Sequence, residues 1–297
     1  MKLALGPVLY LWNRDTLLDF YASAAQWPVD IIYLGETVCS KRRPLRSQDW
    51  LDLAARLTDA GKEVVLSTLA LVEAASELGA MRRIAENGRY QVEANDMAAV
   101  NMLAGRAAFV AGPHINIYNA ETLRLLADVG ARRWVMPVEL GQSTLAALQA
   151  ERPVGMETEV YAFGKLPLAF SARCFTARAH DLPKDACGFR CGDYPDGLSL
   201  STREDHAFLT LNGIQTQSAG TSNLIAELPA LRALNVEVLR LSPQSCHMDK
   251  VVNAFRQVVD GALSPQAAQH VLDDYLPMRA CNGYWHGLPG MDWREHG

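Results

Sequence analysis

No apolar run in this sequence is long enough to cross a bilayer. The most apolar stretch, Val64 to Ala75, is short and carries Glu73, whereas a spanning helix needs about 20 such residues. Positive charge is also scarce. The 28 Lys and Arg stand against 33 Asp and Glu, for a net charge of −5. A surface built for phosphate backbones is basic, so nucleic acid is not an expected partner. The signatures of several enzyme classes are missing. There is no His-Glu-x-x-His, no Gly-x-Ser-x-Gly and no P-loop, which leaves zinc protease, α/β-hydrolase and nucleotide-hydrolysing mechanisms without support. No G-x-G-x-x-G follows a strand-like run, so a dinucleotide fold lacks its mark. Low-complexity polar sequence is absent too. With 49% hydrophobic residues over 297 positions, the chain has ample apolar surface to offset chain entropy and fill a core.

The N-terminus superficially resembles a secretory leader, with Lys2 before an apolar segment and Ala22-Ser23-Ala24 as a cleavage-like triplet. Gly6-Pro7 interrupts that segment, Asn13-Arg14-Asp15 precedes the triplet, and Leu3 to Leu5 reads as a first strand. The expectation is a cytoplasmic protein. In a reducing cytoplasm its six cysteines are not expected to pair as disulfides.

Short apolar runs recur about every thirty residues, each closing in turn residues. They are Leu3 to Leu5, Val29 to Leu34, Glu63 to Leu66, Tyr90 to Val92, Phe109 to Ala111, Arg133 to Met136, Thr158 to Ala162 and Val236 to Leu241. Amphipathic stretches lie between them. Trp50, Leu51, Leu53, Ala54 and Leu57 fall at helical spacing before Gly61, and Thr122, Leu123, Leu125, Leu126 and Val129 before Gly130. Buried strands alternating with helices indicate a parallel α/β fold. Eight such units predict a TIM-type (β/α) barrel, regular or irregular in outline, with an open doubly wound sheet as the alternative. Residues 1–297 read as a single barrel-like domain. The rhythm fails at residues 170–206, just after the seventh strand, where three cysteines, several glycines and prolines and little periodicity mark a cysteine-rich insertion. In a barrel that position is the C-terminal face, where active-site loops gather, and a stretch of such length without regular structure is usually functional.

Cys174-x12-Cys187-x3-Cys191 puts three thiols in that insertion. The spacing matches neither paired zinc knuckles nor ferredoxin-type runs, so it does not name a metal, and free cysteines are often plain buried hydrophobes. Cys39 follows the second strand and, in a barrel, would share the same face. Cys246 and Cys281 stand alone and read as ordinary core or surface thiols. Lys41-Arg42-Arg43, Arg173, Arg178 and Arg190 flank the other four cysteines; such a run is either a solvated loop or compensation for bound negative charge. Weaker signals also follow strands at this face. His114 could bind substrate or move protons. Glu36, Glu93 and Glu139 could serve as acid–base groups, ligands or substrate contacts. Tyr118, Asn119, Asn212 and Gln215 are further pocket candidates.

The segment Glu159-Val-Tyr-Ala-Phe-Gly-Lys-Leu-Pro-Leu-Ala-Phe-Ser-Ala-Arg-Cys174 resembles the hallmark of the collagenase-like peptidase family: a glutamate, then His-Gly-Ala-Leu-Cys, then Tyr-Ser-Gly-Arg-Cys. The match covers Glu159, Gly164, Leu166, Ser171, Arg173 and Cys174. Phe163 stands where the family has its His, and Pro167 where it has its first Cys. With Ile32 to Arg43, Leu66 to Leu71, Met136 to Glu139, Pro183 to Asp185, Leu211 to Thr216, Arg240 to Gln244 and Cys281 to Trp285, the sequence is similar to the UbiV branch of that family over nearly its whole length. The resemblance implies a 4Fe–4S cluster on Cys39, Cys174, Cys187 and Cys191. It implies a heterodimer with a UbiU-like paralogue, which has its own cluster. It also implies a place in the oxygen-independent hydroxylation of the ubiquinone ring precursor, with a UbiT-like lipid-binding accessory protein nearby. Three other readings remain: a hydrolase true to the family name, a zinc-stabilised scaffold, and RNA modification, against which the acidic charge weighs.

Overall fold

The computed structural model describes residues 1–295. Twelve strands form one continuous sheet: β1 (Lys2–Leu5), β2 (Ile31–Leu34), β3 (Glu63–Ser67), β4 (Gln91–Ala94), β5 (Phe109–Ala111), β6 (Ala131–Val135), β7 (Glu157–Phe170), β8 (Leu198–Ser201), β9 (Ala207–Asn212), β10 (Gln215–Asn223), β11 (Val238–Leu241) and β12 (Ala280–Cys281). β1 to β7 and β11 are parallel neighbours. The ring closes because β11 pairs with β7 on one side, Val238 opposite Glu159, and with β1 on the other, Lys2 opposite Val238. All eight sequence runs became the eight barrel strands, and the fold is the closed TIM-type barrel expected of them, not an open sheet.

Helices pack around the outside and cover that face of the strands. The two predicted from spacing are Ser47–Asp59 and Ala120–Asp128. Gly61 and Gly130 follow them at φ +83° and +120°, the left-handed conformations that end helices. Among the described residues no helix is long and apolar enough to cross a membrane.

Side chains alternate across each strand. Leu3, Leu5, Ile32, Leu34, Leu66, Ala162 and Leu239 face the helices. Ala4, Ile31, Tyr33, Val65, Val110, Val135 and Val238 face the barrel interior. The same inward register carries Glu93, Arg133, Glu159 and Arg240, all buried.

The seventh run departs from expectation. It does not stop at Gly164 but continues to Phe170. Up to Phe163 it pairs with β11; from there it pairs antiparallel with β10, Ser222 opposite Gly164. Gly164 lies at φ +122°, and a Cβ on it would sit 2.5 Å from the Ser242 Cβ. Only glycine lets the strand leave the barrel here. Gly164→Ala is expected to lower unfolding free energy by about 3 kcal/mol, from backbone strain plus overpacking, read as a shifted urea midpoint at unchanged slope.

Residues 170–206 are more ordered than their sequence suggests. They hold the short helix Phe175–Ala179, two 3-10 turns at Lys184–Ala186 and Arg190–Asp193, and β8. β8, β9 and β10 then form antiparallel hairpins on the upper half of β7. The cysteine-bearing loop is therefore carried on a sheet that grows out of the barrel wall.

Candidate functional site

The Cys39 loop is built by Glu36. Its carboxylate accepts hydrogen bonds from the Val38 and Cys39 amides at 2.9 and 3.0 Å, which folds the chain back as β2 ends. Arg42 closes the turn, its amide donating to the Cys39 carbonyl at 2.9 Å. The Arg42 side chain is 3% exposed. Its two terminal nitrogens donate to the Leu9 carbonyl at 2.7 Å and to Asn212 Oδ1 at 2.8 Å. Glu36 lies 4.0 Å from the same guanidinium. Asn212 Nδ2 donates to the Leu9 carbonyl and to Gln215. Asn212 thus holds Arg42 in place, and Gln215 braces Asn212.

Between Asn212 and Gln215, β9 turns into β10 through Gly213-Ile214. Gly213 has φ +66°, and a Cβ there would come within 2.7 Å of the Arg42 guanidinium. The tip grips the insertion: the Phe175 amide donates to the Gly213 carbonyl at 2.8 Å, and the Gly213 amide to Thr176 Oγ1 at 3.0 Å. This fixes Cys174, whose Sγ accepts from the Ala177 amide at 3.4 Å. Cys39 and Cys174 pack with Phe170 and Leu71 against one small apolar cluster, Leu9, Val38 and Ile214.

Two lysines tie down the remaining arm. Lys41 Nζ donates to Asp185 at 2.6 Å and to the Lys184 carbonyl at 3.1 Å. Lys184 Nζ bonds Glu73 at 2.5 Å and the Ala172 carbonyl at 2.8 Å. Cys187 and Cys191 follow on consecutive turns, with Gly188 and Phe189 both at positive φ between them.

The four thiols form an electrostatic chain, Cys39 to Cys174, Cys174 to Cys191 and Cys191 to Cys187. Burial pushes the Cys39 thiol up, opposed by a backbone hydrogen bond from Lys41 and by the Arg42 charge; Cys174 acts on it as well. Burial likewise pushes Cys191 up, opposed by Arg42, and both Cys174 and Cys187 act on it. Burial raises Glu36 too, again against Arg42. The Arg42 guanidinium reaches the Cys191 thiol, while its buried Nε has no hydrogen-bond partner. All four thiols are half-buried. Among the described residues no three His, Cys, Asp or Glu side chains converge as ligands of one metal ion. Thiolates are donors that iron–sulfur clusters and structural zinc both take, and the Arg42 charge beside Cys39 and Cys191 would offset part of their negative charge.

Cys246 is exposed and Cys281 buried, both apart from this site; burial pushes the Cys281 thiol up to about 12. Of the flanking basic residues only Arg42 is buried. Arg43, Arg173 and Arg178 are exposed, and Arg190 pairs with Asp193 at 2.9 Å.

Below the thiols the barrel interior holds a charge network. Arg240 pairs with Glu159 at 2.6 Å and Glu93 at 2.7 Å, its guanidinium 4.1 Å above the Tyr33 ring. Tyr33 donates to Glu159 at 2.5 Å. Arg133 links Tyr33 to Glu157 and Glu63 at the lower rim. Glu93 also accepts from Ser67 at 2.7 Å and Asn95 at 3.0 Å. Burial pushes the Glu93 carboxyl up, but Arg240 and those hydrogen bonds hold it below the ordinary range.

Above this floor, His114 and Glu93 line the same recess at the barrel mouth. Burial lowers His114 to about 4, and its ring packs edge-on against Phe170 at 4.7 Å. Glu139 sits apart, exposed at the rim, and accepts from Tyr118. Asn119 caps the helix Ala120–Asp128. Tyr33, Arg133 and Arg240 escape sequence reasoning, though an arginine inside an apolar strand run is a visible signal.

A family model described as Peptidase family U32 matches residues 18–294. Among solved structures, a U32 peptidase is similar at 13% identity and TM-score 0.45, over 82% of this chain and 93% of its own. Dihydropteroate synthase from Thermus thermophilus is similar at 14% identity and TM-score 0.44, over 88% and 94%. Dihydrodipicolinate synthase from Aquifex aeolicus is similar at 8% identity and TM-score 0.39, over 92% and 80%. On the family model, which spans nearly the whole sequence, this chain belongs to peptidase family U32.

Proposed function

We propose that the chain binds a 4Fe–4S cluster through Cys39, Cys174, Cys187 and Cys191 and is the UbiV-type subunit of an oxygen-independent hydroxylation of the ubiquinone ring precursor. One observation carries the reading. Thiols from two segments far apart in sequence gather around a single buried guanidinium, Arg42. Arg42 already faces Glu36 at 4.0 Å, and its unpaired Nε–H leaves it able to meet a second anion, which thiolates on iron would supply. Such a cluster would provide one-electron transfer without oxygen. The chain's own residues would hold it: Glu36 shapes the Cys39 turn, Gly213 and Thr176 fix Cys174, and Lys41 and Lys184 anchor the arm bearing Cys187.

The family's His position carries Phe163, which is fully buried and packs against Phe255 at 6.1 Å; it has no proton to move. In this reading the protein works in the cytoplasm with a UbiU-like paralogue and near a UbiT-like lipid-binding protein. Cys174→Ala tests it. Expressed in anaerobic cells lacking the native chain, the variant should remain folded yet support less than about a tenth of normal ubiquinone synthesis, as when a residue acting as part of a unit is removed. Normal synthesis would sink the proposal, and peptide hydrolysis by metal-free protein would favour the hydrolase reading.

A further inference from the structure

The arm that bears Cys174, Cys187 and Cys191 presents a surface that its own packing does not use. Phe189 lies between Cys187 and Cys191, 50% exposed, with φ +55°. Left-handed backbone is strained for a bulky side chain, whereas Asn or Gly adopts it readily. The ring belongs to none of the apolar clusters among the described residues, so no burial within the chain offsets that strain. Strained residues gather at binding sites, and an aromatic side chain is a frequent anchor for a partner. The charge around Phe189 is opposite to that of the whole chain. Residues 36–46 and 171–193 hold eight Lys and Arg against four Asp and Glu, in a protein of net charge −5. Lys41 pairs with Asp185, Lys184 with Glu73 and Arg190 with Asp193, while Arg42 faces Glu36. Arg43, Arg173 and Arg178 are exposed and have no ion pair among the described residues. Arg173 precedes Cys174, and Arg178 lies on the short helix Phe175–Ala179, which packs on the turn Arg190–Asp193. His180 and Tyr194, just past these two elements, bond each other at 2.9 Å. All three free cations are arginines, whose planar guanidinium pairs bidentately with a carboxylate.

We propose that Phe189, with Arg43, Arg173 and Arg178, forms the docking surface for an acidic protein that carries single electrons. Carboxylates of that protein pair the free guanidiniums, and Phe189 is buried against it. Phe189 is two residues from each of Cys187 and Cys191, so a carrier seated on it stands beside the thiols. The step it serves is the passage of one electron: the carrier is oxidised by one, the bound iron is reduced by one, and no bond or proton moves. An anionic membrane fits less well. The arm keeps Asp181, Asp185 and Asp193 exposed, which a layer of lipid phosphates repels and a protein surface can pair. The inference deepens the proposed function and rests on it for what receives the electron; the docking stands on the surface residues alone.

The discriminating variant is Phe189→Asn, which suits the left-handed turn and removes only the ring. The experiment is calorimetric titration of the anaerobically purified full chain with a plant-type 2Fe–2S ferredoxin, an acidic carrier. Cytochrome c serves as the basic carrier and anionic phospholipid vesicles as the membrane control, with iron measured on the same samples. The expected result is saturable one-to-one binding of the ferredoxin alone, weakened at least about tenfold as salt rises from about 50 mM to about 500 mM. Phe189→Asn should keep or raise the melting temperature yet weaken the ferredoxin at least about tenfold, as loss of an interface anchor does. Arg173→Glu combined with Arg178→Glu should weaken it as much and flatten the salt dependence. Bleaching of the visible band by reduced ferredoxin should slow in both variants, while bleaching by dithionite stays unchanged. Phe189→Asn that binds normally would make the ring a structural feature and overturn the proposal. No saturation, binding indifferent to salt, or equal binding of cytochrome c or of the vesicles would overturn it too. Failure with iron present removes the docking surface and leaves the cluster standing; ferredoxin binding by iron-free, colourless protein, lost in Phe189→Asn, does the reverse.

Discussion

Arg240→Met is expected to remove about 4 kcal/mol of stability at neutral pH and to reverse the protein's response to pH. The guanidinium is the shared counter-charge of Glu93 and Glu159, both fully buried. Without it, Glu93 loses the cation it pairs with and Glu159 keeps only Arg133, 4.0 Å away, and breaking a buried pair costs more than the pair contributed. The native Glu93 carboxyl is held below its ordinary range, against its own burial, by Arg240 with Ser67 and Asn95. Its stabilising contribution is therefore present above the ordinary carboxylate pKa and lost as pH falls through the lower folded value. In Arg240→Met the burial remains and its main opposition is gone. Glu93 should then titrate above its unfolded value, so its contribution is present at low pH and lost as pH rises through the folded pKa. Urea unfolding at about pH 5 and pH 8 should show native protein at least as stable at the higher pH and the variant more stable at the lower. A variant with the native profile would mean that Arg240 does not set the charge state of the barrel.

Arg42→Gln is the second large effect. The side chain bonds the Leu9 carbonyl and Asn212, and faces Glu36 and the thiols. A shorter neutral amide cannot span these partners, so Asn212 Oδ1 loses its donor and the Leu9 carbonyl one of two. The expected cost is about 3 kcal/mol, seen as a lower melting temperature. The chemical effect should exceed the structural one. Arg42 opposes the burial that pushes Cys39 and Cys191 up, so its loss leaves both thiols more reluctant to ionise and to bind metal. Reconstituted Arg42→Gln is expected to hold less than half the iron of the native protein, while Arg42→Lys, which keeps the charge, falls between. Equal iron in all three would show that the guanidinium merely braces the hairpin.

The barrel was legible because parallel strands covered on both faces are written as near-continuous apolar runs. Each of the eight runs became a strand. The extension was not legible for the opposite reason: Gln215-Thr-Gln-Ser-Ala-Gly-Thr-Ser-Asn223 is polar throughout, yet most of it is buried as β10. Only Asn212-Gly213 hinted at a hairpin. Cys39 could be assigned to the face of the distant loop once the barrel was granted, since both follow strand ends. Arg42 could not be distinguished from Arg43, since nothing local makes one buried and the other exposed; the difference comes from a hairpin about 170 residues away. The four weaker candidates divide by environment. Glu36 shapes the Cys39 turn, Glu93 is locked to Arg240, Glu139 lies exposed with Tyr118, and His114 alone lines the recess without a charged partner bound to it.

The central claim is that Cys39, Cys174, Cys187 and Cys191 hold one iron–sulfur cluster. Anaerobic purification, an absorption spectrum and analysis for iron, sulfide and zinc, on native protein and on Cys39→Ala, test it most directly. The account predicts a broad visible band with about four irons per chain, collapsing in Cys39→Ala while the barrel stays folded. A colourless protein containing zinc or no metal, even after attempted reconstitution, would contradict it.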